Sequence, residues 1–243
     1  MTNQNFSQRN KSFRKLFLKS NITFSNNPIN RLIGVQPEND KKILLKKLKD
    51  KISTISECKL KNNSNNIVFN DGNINSPIML IGEAPGQKED ELSKPFVGEA
   101  GSLLNKMLSA INLNRKDLYI TNVVNYRPPL NRKPDSNEIK RYSEFLLEHV
   151  YIIKPKIIIF DEPSTGLDTR ASHKLDHLIR DSVKNKNITA ITITHDMNSA
   201  LQIADTIAML QGGKLIWSGK SSELKKSNHA EVKHFIKPFA TSA

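Results

Sequence analysis

Cysteine is almost missing: Cys58 is the only one in 243 residues. One thiol excludes a disulfide within the chain and any metal site built from cysteines alone. Long apolar runs are missing too. The strongest, Ile157 to Phe160, falls far short of the ~20 residues that a spanning helix needs. The opening, Met1 to Phe13, lacks the apolar stretch of a secretory leader. Acidic residues are scarce, with 24 Asp+Glu against 37 Lys+Arg and a net charge of +13. These absences predict a soluble, cytoplasmic chain without membrane insertion.

The positive charge is concentrated at the start. Residues 1–70 carry a net +10, residues 71–160 a net +1 and residues 161–243 a net +2. A basic first third suits a polyanion, nucleic acid being the commonest. The ordinary alternative is a solvated lysine face.

Periodicity divides the chain further. Residues 1–38 are Asn/Ser-rich and read as a loosely ordered basic arm, with a short helical candidate at Phe13–Leu18. Residues 40–57 read as an amphipathic helix with Ile43, Leu44, Leu48, Ile52 and Ile55 on one side. Ile67-Val68-Phe69 is strand-like. Strands are then expected at Ile78–Ile81, Leu118–Val123, Lys156–Phe160 and Thr189–Thr194. Helices are expected at Gly101–Asn112, Asp135–Ile152 and Arg170–Lys186, with Asp135 and Glu138 as a capping pair. Alternation of this kind predicts a three-layer α/β/α fold around a mainly parallel four-stranded sheet. A hairpin turning at Gly212-Gly213 and a helix at Ala230–Ile236 close the chain.

Two groups of motifs carry chemistry. The first runs from Gly82-Glu83-Ala84-Pro85-Gly86, through Pro95-Phe96-Val97-Gly98 and Ala100-Gly101, to Thr121-Asn122 and Arg127-Pro128-Pro129-Leu130-Asn131-Arg132. In this order and spacing they resemble the family 4 uracil-DNA glycosylases over about residues 67–159, more weakly upstream. The chemistry suits them. A stacked base must be flipped into a pocket before it is cut out. Phe96 offers a stacking face, and the Asn122 amide can donate and accept at once along the uracil edge. The resemblance implies that Ala84, Pro85, Gly86, Phe96 and Asn122 bind uracil. It also implies that Glu83, with the backbone at 84–86, positions the attacking water. The sequence departs from the family twice. Many members hold a four-iron cluster through four cysteines; with Cys58 alone no cluster is expected. The family's late His-Pro-Ser segment is absent.

The second group begins where that segment should come. Ile157 to Phe160, Asp161-Glu162-Pro163 and Gly166-Leu167-Asp168 resemble the Walker B strand and D-loop of an ABC-transporter ATPase. Thr194-His195-Asp196 resembles its switch histidine. The likeness covers residues 156–237 and is closest to Mla-type phospholipid transport. It implies that Asp161 would hold the Mg²⁺ shell, Glu162 would polarise water and His195 would meet the γ-phosphate, with Asp168 in the D-loop. The phosphate cradle is absent. Gly219-Lys220-Ser221 has Lys214 where the first glycine belongs, and reads as following a hairpin rather than joining strand to helix. Mg-ATP is therefore not expected as a cofactor, and no metal is assigned.

The chain thus looks like a chimera: arm 1–38, glycosylase-like part 39–159 and ATPase-like part 160–243. The expected function is excision of uracil from DNA, weakened or abolished by the replaced C-terminal segment. His195 is a candidate for the family's missing histidine. The alternatives are a fragment of an ABC ATP-binding subunit, unable to hydrolyse ATP alone and touching a permease through its C-terminal part, and a fusion without function.

Overall fold

The structure is a computed structural model that describes residues 38–163, 176, 179, 180, 183, 188–224 and 226–236. All of them belong to one compact unit that begins at Gln36. The arm, its helical candidate at Phe13–Leu18, Asp168 and most of the helix expected at Arg170–Lys186 lie outside the described residues.

The main sheet has five strands in the order β1-β3-β2-β4-β5. They are β1 (Asp71–Gly72), β2 (Ile78–Gly82), β3 (Tyr119–Asn122), β4 (Ile157–Asp161) and β5 (Thr189–Ile193). β2, β3, β4 and β5 pair in parallel, as expected. The fifth strand, β1, adds an antiparallel edge to β3. It was not expected, because Asp71–Gly72 has neither apolar alternation nor β-branched residues. Ile67-Val68-Phe69, which is apolar and β-branched, lies outside the sheet. Its Val68 N–H donates to the Asn125 carbonyl instead, and Asn125 Nδ2 returns a hydrogen bond to Val68 O.

Helices cover both faces. Side chains alternate across a strand, so Met79, Ile81, Tyr119, Ile158 and Phe160 face one layer, and Leu80, Leu118 and Ile120 face the other. The first layer holds α1 (Glu38–Ser53) and α5 (Ser136–Ile153). The second is built on α4 (Glu99–Ala110), through Leu104 and Leu108. In α1 the core face uses Leu45, Leu48 and Ile52, while Ile43 turns outward. Each fully buried side chain of this size stabilises by about 1.5–3 kcal/mol. α5 starts as its sequence predicts: Asp135 Oδ1 accepts from Asn137 and Glu138 N–H, and Glu138 Oε2 accepts from Asp135 N–H.

Two short helices, α2 (Lys59–Asn63) and α3 (Gln87–Leu92), were not foreseen. Beyond β5 come α6 (Met197–Ile203), then β6 (Thr206–Gln211) and β7 (Lys214–Lys220), which form a separate hairpin. Gly212 and Gly213 turn it at φ 55° and 73°, a left-handed pair that glycine adopts without strain. α7 (Ser221–Leu224) follows β7 directly, so Gly219-Lys220-Ser221 does join a strand to a short helix, contrary to expectation. The first glycine of a phosphate cradle is still Lys214. α8 (Ala230–Ile236) is the last described element.

Candidate functional site

The candidate residues gather at the carboxyl ends of the parallel strands, where open α/β sheets commonly bind ligands. The strand order fixes their sequence across the sheet. Asn122 ends β3, Glu83 follows β2, Asp161 ends β4 with Glu162 just beyond it, and His195 lies two residues past β5.

Asn122 and Phe96 converge on Gly82. A Cβ at Gly82 would stand 2.6 Å from Asn122 Oδ1 and 2.6 Å from Phe96 Cζ. Only glycine allows both side chains to close over the end of β2. Asn122 is 2% exposed, and its Nδ2 has no hydrogen-bond partner among the described residues. Such an orphan costs roughly 1–3 kcal/mol unless something else satisfies it. A ligand that offers an acceptor there would remove the penalty.

Phe96 is held from three sides. Its own backbone is left-handed, at φ 52°. Glu89, in α3, accepts the N–H groups of Val97 and Gly98 on Oε1 at 2.8 and 2.7 Å. Arg115 donates to the Pro95 and Phe96 carbonyls at 2.7 and 2.8 Å while its Nε and Nη2 grip Asp71. Gly101 packs so closely that a Cβ would lie 1.8 Å from the Phe96 carbonyl oxygen. Sequence reasoning missed Glu89, Asp71 and Arg115, because they act on backbone far along the chain. The spacing of Gly98 and Gly101 was the one local signal that the Phe96 loop is tightly constrained.

Glu83 follows β2 beside the half-buried turn Ala84 and Gly86 and the buried Pro85. Its Oε1 is buried without a partner among the described residues. Burial pushes its pKa above the usual carboxylate range; Lys133 opposes this, and Glu162 and Asp161 add to it. The ATPase-like segment therefore sets its charges against the glycosylase-like acid. The pKa of Asp161 is itself raised, by burial and then by Glu162.

His195 is 72% exposed at its side chain, with Nδ1 2.9 Å from Glu162 Oε1. It contacts Glu162, the acid assigned to the same ATPase-like group. It does not share a strand end with Asn122: β2 and β4 lie between their strands. Three spacings of ~4.8 Å put about 14 Å between those strands. Cys58 is buried in the core with its Sγ 3.2 Å from the Tyr142 hydroxyl. A lone thiol in that position does not fit a four-thiolate cluster, and no chemistry is assigned to one.

Comparison with known proteins finds likeness to two families. Residues 69–161 match the Uracil DNA glycosylase superfamily. The type-4 uracil-DNA glycosylase of Pyrobaculum aerophilum is 42% identical over 115 residues, which are 47% of this chain and 59% of the relative. The energy-coupling factor transporter ATP-binding protein EcfA1 of Mycoplasmopsis synoviae is 30% identical over 141 residues, 58% of this chain and 53% of the relative. Among solved structures, cbiO1 of Clostridium perfringens, part of an ABC transporter complex, overlaps 42% of this chain and 41% of its own. It does so at 23% identity and a TM-score of 0.34. The chain spans 51–60% of the length of the type-4 glycosylases it matches. It combines a glycosylase superfamily region with ABC ATPase likeness, and the superfamily match ends at the last residue of β4. No helix among the described residues is long and apolar enough to cross a membrane.

Proposed function

We propose that this chain recognises uracil in DNA and hydrolyses its N-glycosidic bond, in the cytoplasm. One observation carries the reading: Asn122 and Phe96 close together over a glycine that neither could tolerate as any other residue. Phe96 supplies the stacking face. The Asn122 amide pairs with the base edge, its Nδ2 donating to an acceptor and its Oδ1 accepting from an N–H. Cytosine presents the reverse pattern at that edge and is disfavoured. When the bond between the sugar and the base breaks, its electron pair leaves on uracil and positive charge grows on the sugar. Ionised Glu83 balances that charge and orients the water, whose oxygen bonds to the sugar carbon while its proton passes to solvent. His195, the candidate for the family's histidine, is given no part in this step, since it follows β5, three strands from Asn122, and contacts Glu162. The uracil-binding set is Ala84, Pro85, Gly86, Phe96 and Asn122.

The test is uracil release from a uracil-containing single-stranded oligonucleotide. Asn122→Ala is expected to lower it at least ~100-fold, the scale of removing one aimed hydrogen-bond group. Wild-type release no greater than that of Asn122→Ala would overturn the assignment.

The contact between His195 and Glu162 favours a second reading for the C-terminal part, as a fragment of an ABC ATP-binding subunit that touches a permease. Asp161, Glu162, Asp168 and His195 are the residues it would retain. Retention on immobilised ATP tests it, and no retention would overturn it.

A further inference from the structure

The two edges of the main sheet are finished differently. β1 is two residues long, its Asp71 carboxylate is gripped by Arg115, and its Gly72 sits at φ 86°. Shortness, charge and an abrupt turn are how natural sheets blunt an edge. β5, the other edge among the described residues, has none of these devices. It runs five residues in unbroken register with β4. From Ile188 to Thr194 there is no charge, no proline and no glycine, and every residue but Ala190 is β-branched.

The ladder fixes which backbone groups of β5 lie open. The Thr189 N–H donates to the Lys156 carbonyl at 3.0 Å, and the Ile193 carbonyl accepts from the Glu162 N–H at 2.9 Å. Successive residues of a strand present their backbone groups to opposite sides. Thr189, Ile191 and Ile193 therefore serve β4, and Ala190 and Thr192 turn away from it. The N–H and C=O groups of these two have no backbone partner among the described residues. An added strand satisfies such a row. The side chains favour one as well, since Ile193 is left 50% exposed at the end of β5.

We propose that β5 pairs antiparallel with β5 of a second copy of this chain, about a two-fold axis through Ile191, so that the two sheets join into one. In this register the strand is its own complement. Ala190 exchanges both backbone hydrogen bonds with Thr192 of the partner subunit, and Thr192 does so with the partner's Ala190. Ile191 meets the partner's Ile191 at a position without hydrogen bonds, where side chains come closest. Ile193 meets the partner's Thr189 on the same face. Such β-branched pairs stabilise a ladder, and no like charges oppose each other within it. The pairing consumes the β5 edge of each copy and β1 offers no second one, so association stops at two. A standard interface uses about 20–30 residues a side, so a contact centred on five gives a reversible dimer at micromolar rather than nanomolar concentration.

Sedimentation of the full chain from about 1 to about 200 µM tests the pairing. The mass is expected to climb from 27.5 kDa toward twice that value. A mass that stays at 27.5 kDa throughout would overturn the proposal, as would growth past two copies. Two single substitutions under mild oxidation then test the register, with the buried Cys58 of the wild type as background. Ile191→Cys brings two thiols together at the axis, with Cα atoms about 4.5 Å apart and within disulfide reach. Ile193→Cys leaves its two thiols four positions apart along the ladder, at about 13 Å and out of reach. Ile191→Cys is expected to give at least about ten times more disulfide-linked dimer than Ile193→Cys. Equal yields, or none from either, would overturn the pairing.

Discussion

The two sides of β4 are built to different standards. On the glycosylase-like side, β2 and β3 are buried along nearly their whole length, between α1 and α5 on one face and α4 on the other. On the ATPase-like side, β5 is half-buried throughout and ends in Ile193, which is 50% exposed. Its later elements gather around a smaller cluster of Met197, Ile207, Met209, Leu224 and Val232. Yet the backbone ladder between β4 and β5 runs through five consecutive pairs without a slip. Hydrogen-bonded pairing depends little on side-chain identity, whereas close packing depends on it heavily. The borrowed strand satisfies the first demand more fully than the second.

The largest effect that would sharpen this contrast is in the cores. Ile81→Ala, in β2, should cost about 2–5 kcal/mol, as cavity-forming changes do, and Ile191→Ala, in β5, only about 1. Urea unfolding measures both. Equal losses would mean that the two sides are packed alike.

Next comes acid sensitivity, which should belong to the glycosylase-like side. His149 is buried on α5 against Phe69, with Nδ1 2.7 Å from the Tyr119 hydroxyl, and burial lowers its pKa to about 3. The folded state keeps it neutral, while an unfolded chain would take up the proton near its ordinary value of 6.5. The neutral histidine's contribution is therefore whole above pH 6.5 and is lost as the pH falls from there toward 3. His149→Phe should flatten the decline of urea stability over that window. An unaltered slope would place the acid sensitivity elsewhere.

A smaller effect concerns the support of the site. Arg115→Lys cannot reproduce the fork that joins Asp71 to two carbonyls, and uracil release should fall roughly tenfold. Asp71→Asn should add little to it, because both act through one clamp. Fully additive losses would break the clamp interpretation.

The smallest effect crosses the boundary. Glu162→Gln removes a negative charge that helps hold the Glu83 pKa up. The acidic limb of the pH profile for uracil release should therefore move to lower pH. An unmoved limb would show that the ATPase-like charges do not reach the reaction.

Much of this was legible in the sequence because it is written in local pattern. Asp135 and Glu138 announced the start of α5, Gly212-Gly213 announced the hairpin, and the four parallel strands fell where apolar runs placed them. The approach of Phe96 to Asn122 was expected from the resemblance, and Gly82 supplies its steric reason. The hidden part was non-local. β1 exists because β3 offers an edge, not because Asp71–Gly72 prefers extension. Arg115 reaches backward to carbonyls 19 and 20 residues away. Ile43 looked apolar by periodicity yet faces water, and Leu45 takes its place in the core.

β4 bonds to β2 through Ile78↔Ile157 and to β5 through Ile157↔Thr189, so one residue row serves both neighbours. That makes it a seam at which genetic recombination can replace the C-terminal half while the scaffold of the N-terminal half stays in register. An exchange made one residue out of phase would invert every inward and outward side chain beyond it. Strands of this kind, central and bounded by parallel partners, are where coding segments of two ancestries can be sewn together without the chain first having to invent a new fold.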